Sequence, residues 1–206
     1  FHCTMDDNSQ IFTNKSLTAV VESAVTFLGQ SPFHEFPIST KIEGSGIYAL
    51  YYSGKHKIYS TLNGSQKFGQ RIPIYVGKAV PSGSRQGREQ SAVVDYGIYS
   101  RLREHGRSIQ DGDGIEVSDF ECRFVILKDE MTLLIASLES LLIKRFQPIW
   151  NSCIDGFGNH NPGKGRYEQA RSEWDTLHHG RQWAERLNNN KLTVVDITNK
   201  GINHLK

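Results

Sequence analysis

The sequence predicts an α+β protein that forms one domain over residues 1–206. Short apolar and aromatic runs, bounded by glycine and polar residues, are typical of strands. Between them lie longer segments whose apolar residues recur three and four positions apart, which is typical of amphipathic helices. A chain of 206 residues is also long enough to bury a substantial core. Together these observations favour a single α+β domain.

A helix is predicted near the N-terminus, over residues 16–29. Ser16 can cap its first turn, and Gly29 stands where glycine commonly ends a helix. Residues 1–15 are polar and without periodicity, so we expect a loose arm there. The apolar positions of the helix are Leu17, Val20, Val21, Ala24, Val25 and Leu28.

Two aromatic runs predict neighbouring strands. Residues 46–52 read GIYALYY and are entered through a Gly-Ser-Gly turn, while residues 71–77 read RIPIYVG and are followed directly by Lys78. Each run places a tyrosine close to a glycine. The connection over residues 53–70 is too long for a tight turn, so it predicts an inserted loop or a small extra hairpin.

The middle of the chain predicts a helix, a third strand and a second long helix. Arg101 and His105 lie four positions apart in the first of these helices, over residues 91–106, and therefore share one face. The strand is expected over 121–127 and the long helix over 129–146, where a following proline ends it. The core stripe of the long helix comprises Met131, Leu134, Ile135, Leu138, Leu141 and Leu142.

The C-terminal extension, residues 152–206, is the most polar part of the pattern. A loop rich in glycine and asparagine opens it. Helical segments are then predicted over 167–177 and 181–187, and a final strand is predicted over 192–197.

Composition indicates an ordinary soluble protein of a reducing compartment, and we expect it to be cytoplasmic. The mean hydropathy is −0.47, no apolar run reaches membrane-spanning length, and no signal-peptide pattern opens the chain. Three cysteines stand far apart without a CxxC pair, which argues against a disulfide framework or a structural zinc site.

The positive charge is concentrated in one part of the chain. Residues 55–107 contain ten Lys and Arg against three acidic residues, a local +7, whereas the net charge of the whole chain is only +2. Such asymmetry is expected of a face that binds a polyanion. On charge alone, a solvated basic surface explains it equally well.

Four features could carry chemistry, although each has an ordinary structural explanation. Glu139 lies at the edge of an apolar helix stripe, where a carboxylate is costly to bury unless it is paired or holds a cation. A boundary glutamate that reaches water is the commoner case. Asn151 after the helix can be a capping residue, Lys78 an ordinary basic residue, and the pair of Arg101 and His105 a solvated helix face.

The order of these features closely resembles the GIY-YIG nuclease superfamily. Gly-Ile-Tyr is followed by Tyr-Val-Gly-Lys, a helix with Arg and His, a strand, a helix with a central Glu, and Asn beyond it. The resemblance implies a small mixed or antiparallel three-stranded sheet flanked by helices, with a core over about 44–151. Residues 171–184 are similar to the tail of its short, single-domain type II restriction endonucleases. Two departures are Val76, where the motif usually has Ile, and the long spacing from Tyr48 to Tyr75.

This resemblance implies hydrolysis of double-stranded DNA with one Mg²⁺ per site, for which Mn²⁺ is a plausible substitute, and without an organic cofactor. Glu139 would hold the metal. Tyr48 would act as general base or orient the water, with Lys78 and His105 as cationic neighbours that favour its phenolate. Arg101 would neutralise the phosphate.

Tyr75 and Asn151 have less definite expected roles. Tyr75 would position the water or phosphate, and Asn151 would hold Glu139 or the phosphate, while pure scaffolding remains an alternative for both. Tyr51 and Tyr52 are interpreted as packing residues.

DNA recognition is expected from outside the core. The candidate DNA-binding residues are Lys55, Lys57, Lys67, Arg85, Arg88, Arg166, Arg171 and Arg181. Trp174 and Trp183 are expected in the core instead. Cutting two strands with one site per chain favours a homodimer on a palindromic DNA site. The resemblance suggests that this site is GC-rich. No membrane partner is expected. The alternatives are a structure-specific nuclease of repair or of a mobile element, and a non-catalytic DNA-binding module.

Overall fold

A four-stranded antiparallel sheet organises the computed structural model, which describes residues 15–81, 94–163 and 165–206. The strands are β1 (His34–Glu35), β2 (Gly46–Tyr52), β3 (Gln66–Lys67), β4 (Gln70–Arg71), β5 (Tyr75–Ala79) and β6 (Phe120–Ile126). The main sheet has the order β1-β6-β2-β5, while β3 and β4 form a separate hairpin. The helices are α1 (Lys15–Gln30), α2 (Gly97–Asp111), α3 (Ile135–Phe146), α4 (Ile149–Ser152), α5 (Glu173–Leu177) and α6 (Val194–His204).

Strand β2 is the centre of the fold, because it pairs with β5 on one side and β6 on the other and all seven of its residues are buried. Side chains alternate between the two faces of a strand. Tyr48 faces a core formed with α2 and the C-terminal extension, and Ile47 faces a core formed with α1 and α3. Burying one large apolar side chain contributes about 1.5–3 kcal/mol, so helices on both faces stabilise this short sheet.

The predicted strands of the core are confirmed, with shifted boundaries for two of them. Strand β2 has the predicted limits, and β6 begins one residue earlier than predicted. Strand β5 begins at Tyr75 rather than at residue 71, because Arg71 pairs in the β3–β4 hairpin and Pro73 has no amide to donate.

The predicted insertion contains that small hairpin, but it is more than a surface loop. Ile58, Tyr59 and Leu62 are fully buried in the core on the Tyr48 face of the sheet. The inserted segment therefore helps to close the core as well as extending the surface.

Helix boundaries differ more. Helix α2 starts at Gly97, and Val94 before it is exposed, while residues 91–93 of the predicted helix lie outside the described residues. Residues Asp129–Leu134 form a 3₁₀ turn, so α3 is shorter than predicted and Met131 is exposed rather than in the core stripe.

The predicted final strand was wrong. Residues from Val194 onward form α6, because Thr193 and Asp196 make a capping box that satisfies the first backbone amides of a helix. Ile197 and Gly201, four positions apart, are its buried face. The other two predicted helical segments reduce to α5 and a single 3₁₀ turn at Ala184–Arg186.

Over the described residues, no helix combines the length and the apolar character that crossing a membrane requires.

Candidate active site

Two glycines, Gly77 of the second aromatic run and Gly158 of the C-terminal extension, make room for the tyrosines. In the β2–β5 register Tyr48 lies opposite Gly77, and a Cβ on Gly77 would lie 2.5 Å from the Tyr48 hydroxyl oxygen. A Cβ on Gly158 would likewise lie 2.7 Å from the hydroxyl oxygen of Tyr75. Any side chain at Gly77 would therefore displace the Tyr48 ring.

Tyr48 and His105 form a buried pair at the floor of the site. The Tyr48 hydroxyl lies 2.8 Å from His105 Nε2, and the two residues are 1% and 3% exposed. Burial, with a further contribution from Arg101, lowers the pKa of His105 to about 3. Burial and the neighbouring Tyr75 raise the pKa of Tyr48 well above its usual 10, although Arg101 opposes this shift.

Both members of this pair are therefore neutral in the free protein at neutral pH. In the free protein His105 therefore does not act as the predicted cation beside Tyr48, because burial lowers the pKa of its imidazole to about 3. Among the neighbours, the cation that lowers the pKa of Tyr48 is Arg101.

Tyr75 lies beside this pair at the start of β5. Its ring centroid is 6.5 Å from that of Tyr48 and 5.1 Å from that of His105. Burial and the carboxylate of Glu139 raise the pKa of Tyr75 to about 12. Tyr75 is thus a neutral hydrogen-bonding group at neutral pH.

Lys78 and Glu139 form an ion pair across the β5–α3 contact. Glu139 projects from the middle of α3, and its side chain is 17% exposed. Lys78 was predicted to act on Tyr48, but its ammonium group instead bonds the Glu139 carboxylate. This pairing explains how an acidic side chain is tolerated beside the apolar stripe of α3.

The two halves of the site meet at strand β5. Tyr48 and Tyr75 lie on the α2 face of the sheet, whereas Lys78 follows Gly77 by one residue and points to the α3 face. Because β5 is an edge strand of the sheet, groups from both faces can reach a ligand that lies over this edge. The Coulomb influence of Glu139 on both Tyr48 and Tyr75 agrees with such a shared site.

Asn151 has a structural role at this edge. Its side chain accepts a 2.8 Å hydrogen bond from the Val76 amide and donates a 2.9 Å bond to the Val76 carbonyl. Both ends of the amide therefore bond the backbone of β5, which agrees with the scaffolding alternative for Asn151 rather than with a bond to Glu139. Asn151 fixes the strand from which Tyr75 and Lys78 project.

Arg101 lies one helical turn before His105 on α2, as predicted. Its guanidinium bonds the Glu104 carboxylate at 3.0 Å and also contacts the imidazole of His160. Arg101 is only partly buried, so a phosphate oxygen could reach it.

Two residues of the site were missed by sequence reasoning, namely Phe157 and His160. The Phe157 ring stacks on His105 with centroids 4.6 Å apart and an interplanar angle of 20°, and its edge contacts Tyr75 at 4.9 Å. Both residues lie in the polar loop that opens the extension. An aromatic residue and a histidine within a glycine- and asparagine-rich loop were the available signal.

The predicted DNA-binding residues divide into three groups. Lys55, Lys57, Lys67 and Arg166 are exposed. Arg85 and Arg88 lie outside the described residues. Arg171 and Arg181 are 8% and 3% exposed, which is inconsistent with reading bases from the surface. Both bond to the extension's own carbonyl and side-chain groups.

The predicted core tryptophans also differ. Trp174 is fully buried, as predicted, whereas Trp183 is only half-buried.

Of the two carboxylates described at the site, Glu104 pairs with Arg101, and Glu139 lies across the edge strand. Within residues 15–81, 94–163 and 165–206, no group of three or more His, Cys, Asp and Glu side chains could hold an ion. One carboxylate at the edge of the site fits a hard cation that keeps most of its water ligands.

Two neighbouring tyrosines on the sheet, with an arginine on α2 and a carboxylate on α3, are the arrangement expected of a GIY-YIG nuclease. A family model described as the Eco29kI GIY-YIG domain matches residues 40–205, which is most of the chain, and the chain therefore belongs to this restriction endonuclease family. No curated protein compared with the chain matches it. GIY-YIG nucleases act on DNA and generally use a divalent metal.

Proposed function

We propose that the protein is a type II restriction endonuclease that hydrolyses both strands of a palindromic DNA site with Mg²⁺. The observation that carries this proposal is the buried Tyr48–His105 pair, with Arg101 beside it and Glu139 across the edge strand. A proton acceptor, a cation and a metal-binding carboxylate therefore face one ligand position. These are the groups that phosphodiester hydrolysis by water requires.

The neutral state of the pair supports a proton relay rather than a phenolate base. With its own proton on Nδ1, His105 accepts the Tyr48 hydroxyl proton at Nε2 while Tyr48 takes a proton from the attacking water. One water O–H bond and one tyrosine O–H bond break, while a tyrosine O–H and a histidine N–H bond form. As hydroxide adds to phosphorus, the P–O bond to the leaving sugar oxygen breaks, and that oxygen takes a proton from solvent water. A phosphate bound at Arg101 offsets its charge and so raises the pKa of His105 from about 3.

Arg101 and Tyr75 bind the phosphate in this proposal. The planar guanidinium fork of Arg101 pairs with two phosphate oxygens, beside or in place of its bond to the partly exposed Glu104. Tyr75 donates its hydroxyl proton to a phosphate oxygen or to the water, since its pKa of about 12 keeps it protonated.

Glu139 is the residue that would hold Mg²⁺, with water and phosphate as the other ligands. The ion would neutralise charge on the phosphate and on the leaving oxygen. Lys78 compensates the same carboxylate in the free protein, so it would have to yield Glu139 to the ion or share it. We therefore expect tight metal binding only when DNA is present.

The exposed cations Lys55, Lys57, Lys67 and Arg166 would contact DNA beyond the cleaved phosphate. Because one chain holds one such site, a homodimer is the simplest arrangement that cuts both strands of a palindrome. We expect a GC-rich palindrome and a bacterial cytoplasmic protein.

The direct test is incubation of plasmid DNA with the purified protein and Mg²⁺, followed by gel analysis. Discrete fragments are expected for wild-type protein. Glu139→Gln keeps the side-chain volume but removes the charge, and we expect it to abolish cutting while DNA binding persists. Glu121→Gln is the matched control, because Glu121 also pairs with a cation, Arg71 at 2.6 Å, but on β6 away from the site.

Cutting by Glu139→Gln at a rate close to that of Glu121→Gln would remove the metal assignment. A smear or a preference for branched DNA would remove the restriction assignment, and a wild-type protein that only binds DNA would remove catalysis altogether.

A further inference from the structure

One buried side chain, Arg181, bonds several backbone carbonyls of the loop that covers the active site. Its Nη2 donates to the Gly156 carbonyl at 2.9 Å, and its Nη1 donates to the carbonyls of Phe157 at 3.0 Å and Asn159 at 3.3 Å. Its Nε bonds Asp175 at 2.6 Å. One guanidinium therefore bonds three carbonyls within a four-residue stretch of loop.

Aromatic rings fix the guanidinium itself. It lies 4.6 Å from the ring centroid of Trp174 and 4.8 Å from that of Trp183. With Asp175 only 1% exposed, the ion pair is also shielded from water. A buried charge paired this fully has one favoured position, so the carbonyls that it bonds are fixed as well.

The same loop supplies two contacts to the catalytic groups. Phe157 stacks on His105, and His160 contacts the Arg101 guanidinium. The carbonyl of Phe157 is one of the three that Arg181 bonds, and Asn159 directly precedes His160. The chain of contacts thus runs from Arg181 through the loop to His105 and Arg101.

We propose that Arg181 is a positioning residue for the hydrolysis, which acts by holding residues 156–160 so that Phe157 covers His105 and His160 lies against Arg101. This proposal rests on the proposed nuclease function. It assigns Arg181 an indirect role in catalysis in place of DNA contact. The extension then contributes Phe157 and His160 to the active site, and Arg181 holds both in place.

A second buried arginine provides a matched comparison. Arg171 bonds the carbonyl of Ala184, the imidazole of His179 and the Glu185 carboxylate. These partners all lie within the extension, and none belongs to the loop over the site. Loss of Arg171 should therefore loosen the extension without moving the catalytic groups.

The first measurement is single-turnover DNA cleavage by Arg181→Lys and by Arg171→Lys, each at a temperature where the variant is fully folded. Lysine keeps the positive charge, but its single nitrogen cannot reach the positions that the guanidinium fork reaches. We expect Arg181→Lys to cleave roughly 10- to 100-fold more slowly, as for a misplacement of about 1 Å. We expect Arg171→Lys to stay within a few-fold of wild type.

The second measurement is an NMR titration of the His105 imidazole in the protein without DNA. The charged or titratable groups facing His105 are Tyr48, Tyr75, Arg101, His160 and Arg181. In wild type and Arg171→Lys we expect His105 to remain neutral between pH 5 and 8. In Arg181→Lys, water that enters beneath Phe157 should move its titration up towards the ordinary value of about 6.5.

Equal cleavage rates for the two lysine variants, or an unchanged His105 titration in Arg181→Lys, would overturn the proposal. If Arg181→Lys does not fold, Phe157→Leu removes the stacked ring directly. Cleavage by Phe157→Leu at the wild-type rate would also overturn the proposal. If no form of the protein cleaves DNA, the proposed function fails, whereas the titration still decides whether Arg181 positions His105.

Discussion

Two buried tyrosine–histidine pairs in the described part of the chain share one hydrogen-bond distance but differ in the charge around them. Tyr48 bonds His105 and Tyr59 bonds His178, each from the tyrosine hydroxyl to Nε2 at 2.8 Å. His178 Nδ1 also lies 2.8 Å from the Asp113 carbonyl, which makes Nδ1 the protonated nitrogen and Tyr59 the donor to Nε2.

Their surroundings differ in charge. Tyr59 is packed among Tyr52, Trp150 and His56, whereas Tyr48 lies within reach of Arg101 and Glu139. Burial raises the pKa of both tyrosines. The hydrogen bond alone therefore does not mark a catalytic group. A cation and a carboxylate beside an edge strand distinguish the Tyr48 pair.

The largest expected effect separates the two tyrosines. Tyr48→Phe removes the group that we propose takes the proton from water, so we expect single-turnover cleavage to fall by about 100-fold or more, within the range of general acid–base catalysis. Tyr59→Phe removes an equivalent bond from the core and should leave cleavage within a few-fold of wild type. Cleavage of plasmid DNA under identical conditions measures both.

Stability provides the control for that comparison. Each Phe variant leaves a buried imidazole nitrogen without its partner, which costs about 1–3 kcal/mol of unfolding free energy. Urea unfolding should therefore show similar losses for both variants. If both also lost cleavage equally, the Tyr48 pair would be no more catalytic than the Tyr59 pair.

A smaller effect is expected at the arginine that distinguishes the Tyr48 pair. Arg101→Lys keeps the charge but removes the planar fork, so we expect cleavage to slow by roughly tenfold, about 1.4 kcal/mol in the barrier. Arg103→Lys is the matched control on the same helix, where Arg103 is exposed and lies over the Tyr99 ring at 5.7 Å.

Equal single-turnover rates for these two variants would mean that Arg101 does not bind the phosphate. The Tyr48 pair would then be distinguished by the Glu139 carboxylate alone.

The parts of this site that sequence predicts are those set by local pattern and chain order. Strand β2 was predicted to the residue, because its apolar run is bounded by glycine and serine. Tyr48 and His105 are 57 positions apart, and only the order of the motifs that resemble a GIY-YIG nuclease indicated that they belong to one site. The start of α6 could also have been predicted, since Thr193 and Asp196 have the spacing of a capping box. The run of β-branched residues favoured a strand instead.

Other parts depend on tertiary contacts that leave no local signal. Arg181 has the sequence context of a surface cation, and its burial requires three carbonyls from a loop more than twenty residues away. The neutrality of His105 likewise results from Phe157 and the sheet packing around it. Residue type and spacing indicate neither the burial of Arg181 nor the neutrality of His105, because both features arise only when the extension folds back over the core.

Folding stability followed against pH tests whether both histidines are neutral, without any cleavage measurement. Burial lowers the pKa of His105 to about 3 and that of His178 to about 4. The unfolded chain binds a proton on each histidine below about pH 6.5, while the folded protein does not, so folding stability falls as pH decreases from 6.5 towards 4. Each histidine contributes up to about 1.4 kcal/mol per pH unit to that slope.

Urea unfolding at pH 7 and pH 5 should show a shallower decline for His105→Gln and for His178→Gln, by similar amounts. A decline unchanged in His105→Gln alone would mean that this imidazole is already protonated in the folded protein, and the relay through Tyr48 would lose its acceptor.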